Sequence, residues 1–129
     1  MSILYADDDK DDLDLFSEVL AKLAPHLDLI CTADGADVIS ALERATVLPR
    51  LIVLDMNMPR MTGLDCLIEI RKHAAYASIA VVMFSTSGTR DAVGAALENG
   101  ANEYYLKANS YEALETFIGN LIGRYNLTD

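Results

Sequence analysis

Basic residues are scarce in this chain. Ten Lys and Arg stand against 20 Asp and Glu in 129 residues, for a formal net charge of −10. So acidic a surface is repelled by nucleic acid and by anionic membranes, and neither is expected as a partner. Long apolar runs are absent too; no stretch approaches the ~18 residues of a membrane span. The N-terminus, Met1-Ser2-Ile3-Leu4-Tyr5-Ala6-Asp7, has no basic segment and meets acid almost at once, unlike a signal peptide. Cysteine is limited to Cys31 and Cys66, which form no C-x-x-C pair. One falls in an expected strand and the other in an expected helix. Both are expected to be buried free thiols, which fits a cytoplasmic location. His26 and His73 are isolated, and neither is given a catalytic role. No G-x-G-x-x-G opens the first strand–helix turn; the acids there would repel a pyrophosphate, which argues against dinucleotide binding. No repeat, linker or low-complexity tract interrupts the chain. Residues 1–129 are expected to be one domain with no output domain attached.

What is present is a core and an alternation. Apolar residues make up 52% and charged residues 23%, a composition that folds rather than stays disordered. Short apolar runs occur at Ile3–Ala6, Leu27–Cys31, Leu51–Leu54, Ile79–Phe84 and Tyr104–Leu106. Continuous runs of this length, rich in Val and Ile at the third and fourth, mark strands buried on both faces of a parallel sheet. Helical spacing fills the gaps. Leu13, Phe16, Leu20 and Leu23 form one stripe, closed by Pro25. Val38, Ile39 and Leu42 form a second, and Leu64, Leu67, Ile68 and Ile70 a third. Val93, Ala96 and Leu97 precede the stop at Asn99-Gly100. Leu114, Phe117, Ile118, Leu121, Ile122 and Tyr125 make the longest stripe. Asn109 or Ser110 can cap it, with Glu112 three residues after Asn109. Such alternation predicts a doubly wound α/β fold with helices on both faces of a parallel sheet. Functional groups in these folds collect at the carboxyl ends of the strands.

The residues at those ends form a set. The first strand ends in Asp7 and Asp8, and the third in Asp55 with Asn57 just beyond. The fourth ends in Ser85 and Thr86, and the fifth in Lys107. Carboxylates, a hydroxyl and a lysine at one sheet edge suit phosphoryl transfer with Mg²⁺, which takes hard oxygen ligands. One carboxylate can act as nucleophile, while lysine and hydroxyl bind phosphoryl oxygens. Two carboxylates ~4 Å apart repel by about 4 kcal/mol at an effective dielectric near 20. A lysine and a divalent cation would relieve that. Plainer readings exist for each residue. Asp9, Asp11, Asp12 and Asp14 read as a solvated helix N-terminus, where acids are favoured. Asn57-Met58-Pro59 with Gly63 could be only a turn. Ser85-Thr86-Ser87-Gly88 could be only a helix cap. Shared position at strand ends favours the functional reading.

Four segments carry a family resemblance: ILYADDD at 3–9, LIVLDMNMPRMTGLDCL at 51–67, VVMFSTS at 81–87 and GANEYYLK at 100–107. Through them the chain resembles the receiver domain of bacterial two-component response regulators, of the stand-alone type. The D-x-N-M-P-x-M-x-G-L segment is the most specific of them. The resemblance implies a flavodoxin-like five-stranded sheet of order 2-1-3-4-5. It implies Asp55 as phosphoacceptor from a histidine kinase or histidine phosphotransfer protein. Asp7, Asp8 and Asp55, with the backbone carbonyl of Asn57, would hold Mg²⁺, Asp8 more directly than Asp7. Ser85 would be the switch hydroxyl, Lys107 the phosphoryl-binding lysine and Tyr104 the switch aromatic. Output would pass through roughly residues 89–125 to a downstream protein. The family usually has proline after the lysine, commonly with a cis bond, where this chain has Ala108. A non-proline cis bond costs about 2.5–4 kcal/mol, so a trans Lys107–Ala108 bond or a rearranged loop is expected. Two further readings stand beside the switch: a degenerate receiver that binds a partner without phosphorylation, and an aspartate-nucleophile phosphohydrolase. The latter usually needs a D-x-D motif on the first strand and a cap.

Overall fold

Alternate side chains on a strand point to opposite faces, and here that alternation divides the core in two. In the computed structural model, which describes residues 1–107 and 109–128, the strands are β1 (Ser2–Ala6), β2 (Asp28–Thr32), β3 (Leu51–Leu54), β4 (Ala80–Ser85) and β5 (Glu103–Leu106). Between and after them run α1 (Lys10–Leu23), α2 (Gly35–Arg44), α3 (Gly63–Lys72), α4 (Arg90–Glu98) and α5 (Tyr111–Arg124). A single 3₁₀ turn at Ala74–Tyr76, which the apolar pattern did not suggest, leads into β4. Every strand pairing is parallel, in the order β2-β1-β3-β4-β5. The expected fold class and strand order are therefore found.

Ile3, Tyr5, Leu51, Val53, Val82 and Phe84 face α1 and α5, meeting Phe16, Leu20, Phe117 and Leu121. Leu4, Ala6, Ile52, Leu54, Val81 and Met83 face the other way, against Val38 and Leu42 of α2 and Leu67 and Ile70 of α3. The central strands β1 and β3 are buried almost throughout, as their unbroken apolar runs require. β2 lies at the sheet edge and is only half covered. That corrects one expectation: Cys66 is buried, but Cys31 is exposed because its strand has a neighbour on one side only. Burial pushes the Cys66 thiol up to about 12.

Each helix begins just after a strand's carboxyl end, and a side-chain cap fixes where. Asp9 accepts from the N–H groups of Asp11 and Asp12, Asp34 from Asp37, Thr62 from Asp65, Thr89 from Ala92 and Ser110 from Ala113. Such caps are worth about 1 kcal/mol each and set where each loop ends. Two details differ from expectation. Thr89, not the Ser85–Gly88 segment, caps α4. Of the two caps expected for α5, Ser110 is the one found, which leaves Glu112 out of the capping box that Asn109 would have allowed.

Candidate functional site

The register of the sheet gathers the strand-end residues. Ala6 of β1 is opposite Leu54 of β3, and the pairing runs one residue further: the Asp55 N–H donates to the Ala6 carbonyl at 3.0 Å. Asp7 donates likewise to Thr32 at 3.1 Å, and Lys107 to Ser85 at 2.8 Å. Asp7, Asp55, Ser85 and Lys107 thus leave the sheet side by side.

Lys107 ties the carboxylates together. Its Nζ lies 2.6 Å from Asp7 Oδ2, 2.9 Å from Asp55 Oδ2 and 2.8 Å from Asp12 Oδ2. Burial alone would lower the Lys107 amine, but its bonds to Asp12, Asp7 and Asp55 outweigh that and hold it above the ordinary lysine value. Asp7 is fully buried, and burial raises its acid even though Lys107 and Tyr5 pull the other way. Its Oδ2 also accepts the Tyr5 hydroxyl at 2.5 Å, and its Oδ1 accepts the Asp9 N–H at 2.9 Å. Asp55 is 5% exposed, and its Oδ1 accepts the Asn57 N–H at 3.2 Å. Asp8 is exposed, yet one oxygen each of Asp7, Asp8 and Asp55 lie within 4.8 Å of one another.

That donor set fits a small divalent cation. It offers hard carboxylate oxygens from two neighbouring strand ends, as Mg²⁺ and its congeners require. Asp7, Asp8, Asp12 and Asp55 also outnumber the one ammonium among them, so the cluster carries excess negative charge.

The loop after β3 is held against movement. A Cβ on Gly63 would lie 2.0 Å from the Asp55 carbonyl oxygen, so only glycine allows α3 to start this close. Arg60 has a φ of 63°, and its guanidinium reaches Asp34 Oδ2 at 2.5 and 3.0 Å. On the other side, Ser85 is fully buried and its Oγ accepts the Ser87 N–H at 3.2 Å. The half-buried Tyr104 donates its hydroxyl to the Ser87 carbonyl. Burial raises that hydroxyl's pKa, while the nearby Ser85 hydroxyl works against the rise. Tyr104 thus touches the loop that begins at Ser85. The Lys107–Ala108 bond, expected trans or rearranged, lies outside the described residues.

Two residues of the site escaped the sequence reading. Asp12 was grouped with a solvated helix N-terminus, yet it binds Lys107. No local signal marks it, because residues 12 and 107 meet only through the fold. Tyr5 was read only as part of the apolar run Ile3–Ala6. Its position two residues before Asp7 was a usable signal, since side chains two apart on an extended strand share a face.

The fold and this edge define a receiver: the family model for the response regulator receiver domain matches residues 3–118, and the chain belongs to that family. Receiver domains are signalling domains of two-component systems that take phosphoryl groups from histidine kinases, bind divalent metal and act on downstream targets. Among particular relatives, response regulator Rcp1 of Synechocystis sp. is 32% identical over 117 residues, covering 87% of this chain and 80% of its own length. Chemotaxis protein CheY1 of Helicobacter pylori is 26% identical over 123 residues, 95% of this chain and 98% of its own. The phosphorylated cyanobacterial phytochrome response regulator RcpA superposes with a TM-score of 0.89 at 26% identity, covering 96% of this chain and 92% of that one. The Mn²⁺-bound form of Rcp1 gives 0.85 at 30% identity, with 94% and 91% covered.

Proposed function

We propose that the chain is a phosphorylation-controlled binding switch with Asp55 as its phosphoacceptor. The observation that carries this is the Lys107 ammonium bonded to Asp55 and Asp7, with Asp8 close enough to share a cation with both. An Asp55 carboxylate oxygen attacks the phosphorus of a phosphohistidine on a histidine kinase or phosphotransfer protein. The new O–P bond forms as the P–N bond breaks, and the imidazole leaves with the electron pair and takes up a proton. Lys107 already points its ammonium at Asp55 and bonds a phosphoryl oxygen there. Asp7, Asp8, Asp55 and the Asn57 backbone carbonyl would hold Mg²⁺, which neutralises phosphoryl charge when bound.

The readout runs through β4 and β5. Ser85 Oγ turns from the Ser87 N–H to the phosphoryl group, and Tyr104, bonded to Ser87, follows. The surface formed by α4, β5 and α5 then changes its affinity for a downstream protein. Shifting a population from 1:99 to 99:1 needs about 5.5 kcal/mol of differential stabilisation. Charge-assisted bonds from Lys107 and Ser85 supply part of it. Retention of Asp55, its acidic neighbours and Lys107 favours this over a phosphorylation-independent binding module. The proposed nucleophile stands in Asp55-Met56-Asn57 at the end of β3, not on the first strand where such phosphohydrolases usually carry theirs, which argues against that reading. No helix among the described residues is long and apolar enough to cross a membrane, which agrees with a cytoplasmic role.

The test is intact mass after incubation with Mg²⁺ and a small-molecule phosphodonor. The wild type gains one phosphoryl group and Asp55→Asn gains none. A wild type that gains nothing, or equal gain by the variant, refutes the assignment.

A further inference from the structure

Lys107 spends all three of its ammonium hydrogens on carboxylates, and these three bonds are unequal. Asp7 is fully buried and shares the accepting oxygen with Tyr5. If Lys107 withdrew, that carboxylate would lose its one cationic partner in a place water does not reach. Asp55 is the reacting group, and its side chain is 8% exposed. Asp12 differs: it stands in the first turn of α1, and its side chain is 39% exposed. Beside it opens a cavity of about 250 Å³ lined by Asp12, Leu15, Phe84, Lys107, Ser110 and Leu114. Water can therefore replace Lys107 on Asp12 at little cost, as it cannot on Asp7.

We propose that Asp12 is a positioning residue for Lys107: it holds one ammonium hydrogen in reserve and yields it to the incoming phosphoryl oxygen. This rests on the reading of Asp55 as phosphoacceptor. Asp7 and Asp55 keep the amine over the site when Asp12 lets go, so replacing the Asp12 carboxylate by a weaker, neutral acceptor leaves Lys107 in place with a hydrogen it gives up more readily. Asp12 therefore restrains phosphorylation, and its loss accelerates the step.

The test compares wild type, Asp12→Asn and Asp55→Asn at saturating Mg²⁺. Two donors of different charge are used, acetyl phosphate and phosphoramidate, in high salt where the Debye length falls to about 3 Å at 1 M. Asp12→Asn is expected to be phosphorylated about fivefold faster by both donors, equivalent to ~1 kcal/mol at ~1.4 kcal/mol per tenfold. In the metal-free protein the Lys107 ammonium protons, followed by nitrogen-15 NMR, should exchange with water faster in Asp12→Asn. Unchanged rates, a rise confined to the more highly charged donor, or unchanged ammonium exchange overturns the proposal while the Asp55 reading stands. A wild type that takes no phosphoryl group, or labelling of Asp55→Asn, overturns both. Asp12 is partly exposed, and an unchanged circular dichroism melt confirms that the variant folds; if it does not, Asp12→Ser is judged by the same criteria.

Discussion

Two cations sit at opposite ends of the sheet, and their surroundings differ in kind. At the carboxyl end, Lys107 is ringed by Asp7, Asp12 and Asp55, with Asp8 nearby. At the amino end, Arg71 is ringed by neutral acceptors. Its guanidinium donates to the carbonyls of Ile79 at 2.9 Å and Gly100 at 3.0 Å and to Asn102 Oδ1 at 3.2 Å, stitching α3 to the segments that enter β4 and β5. Burial lowers the Arg71 pKa, and no carboxylate bond appears among its described partners. The Arg71 cluster is complete as it stands. The Lys107 cluster holds more negative charge than one ammonium balances. The unbalanced cluster suits the cation and phosphoryl group proposed for it; the balanced one suits a purely structural role.

That contrast can be broken by mutation. The largest effect is expected from Lys107→Ala. Removing one partner of a mostly buried ion-pair cluster should cost about 3 kcal/mol in the metal-free protein, and Mg²⁺ should restore more than half. Urea unfolding with and without Mg²⁺ measures both, and a loss that Mg²⁺ does not touch would contradict the charge argument. Arg71→Ala should cost about 2 kcal/mol through its unpaired carbonyls, by the same amount at every Mg²⁺ concentration. Asp55→Asn should act in the opposite direction, stabilising the metal-free protein by about 1 kcal/mol as one of several like charges disappears. A destabilised Asp55→Asn would mean that Lys107 already balances the site.

The smallest effect concerns pH. Glu103 on β5 accepts from the hydroxyls of Tyr105 and Tyr125 and pairs with Arg124. Burial alone would raise its acid, but the Tyr125 and Tyr105 bonds and the Arg124 charge prevail and hold it below the ordinary 4.5. A carboxyl depressed by folding contributes stability above its unfolded pKa and loses it as pH falls through the folded value. Melting temperatures from neutral pH down to about pH 3 should therefore fall less steeply for Glu103→Gln than for wild type. Equal slopes would remove Glu103 from the set of satisfied clusters.

Much of the fold was legible because burial on both faces writes itself into composition. Leu51–Leu54 has the same limits as read and as folded. β2 and β4 shift by one residue and β5 gains Glu103 at its start, because residues at the ends of a ladder differ little from their neighbours in pattern. The positions of Asp7, Asp8, Asp55, Ser85 and Lys107 along one edge were legible because a parallel sheet delivers strand ends together. Asp12 was not, since its partner is 95 residues away. Cys31 was misjudged because nothing in Leu27–Cys31 reveals an edge strand; only the strand order does.

Gly63 has a mechanical consequence. With no Cβ between them, the Asp55 carbonyl rests almost directly on the start of α3, and α3 is anchored below by Cys66, Leu67 and Ile70. α4 is fastened far more lightly, with Ala96 its one fully buried residue. Asp55 therefore sits on an anvil on one flank and beside a compliant spring on the other. If Asp55 carries the phosphoryl group proposed above, a push there would meet the well-anchored α3 on one side and be taken up by the more lightly fastened α4.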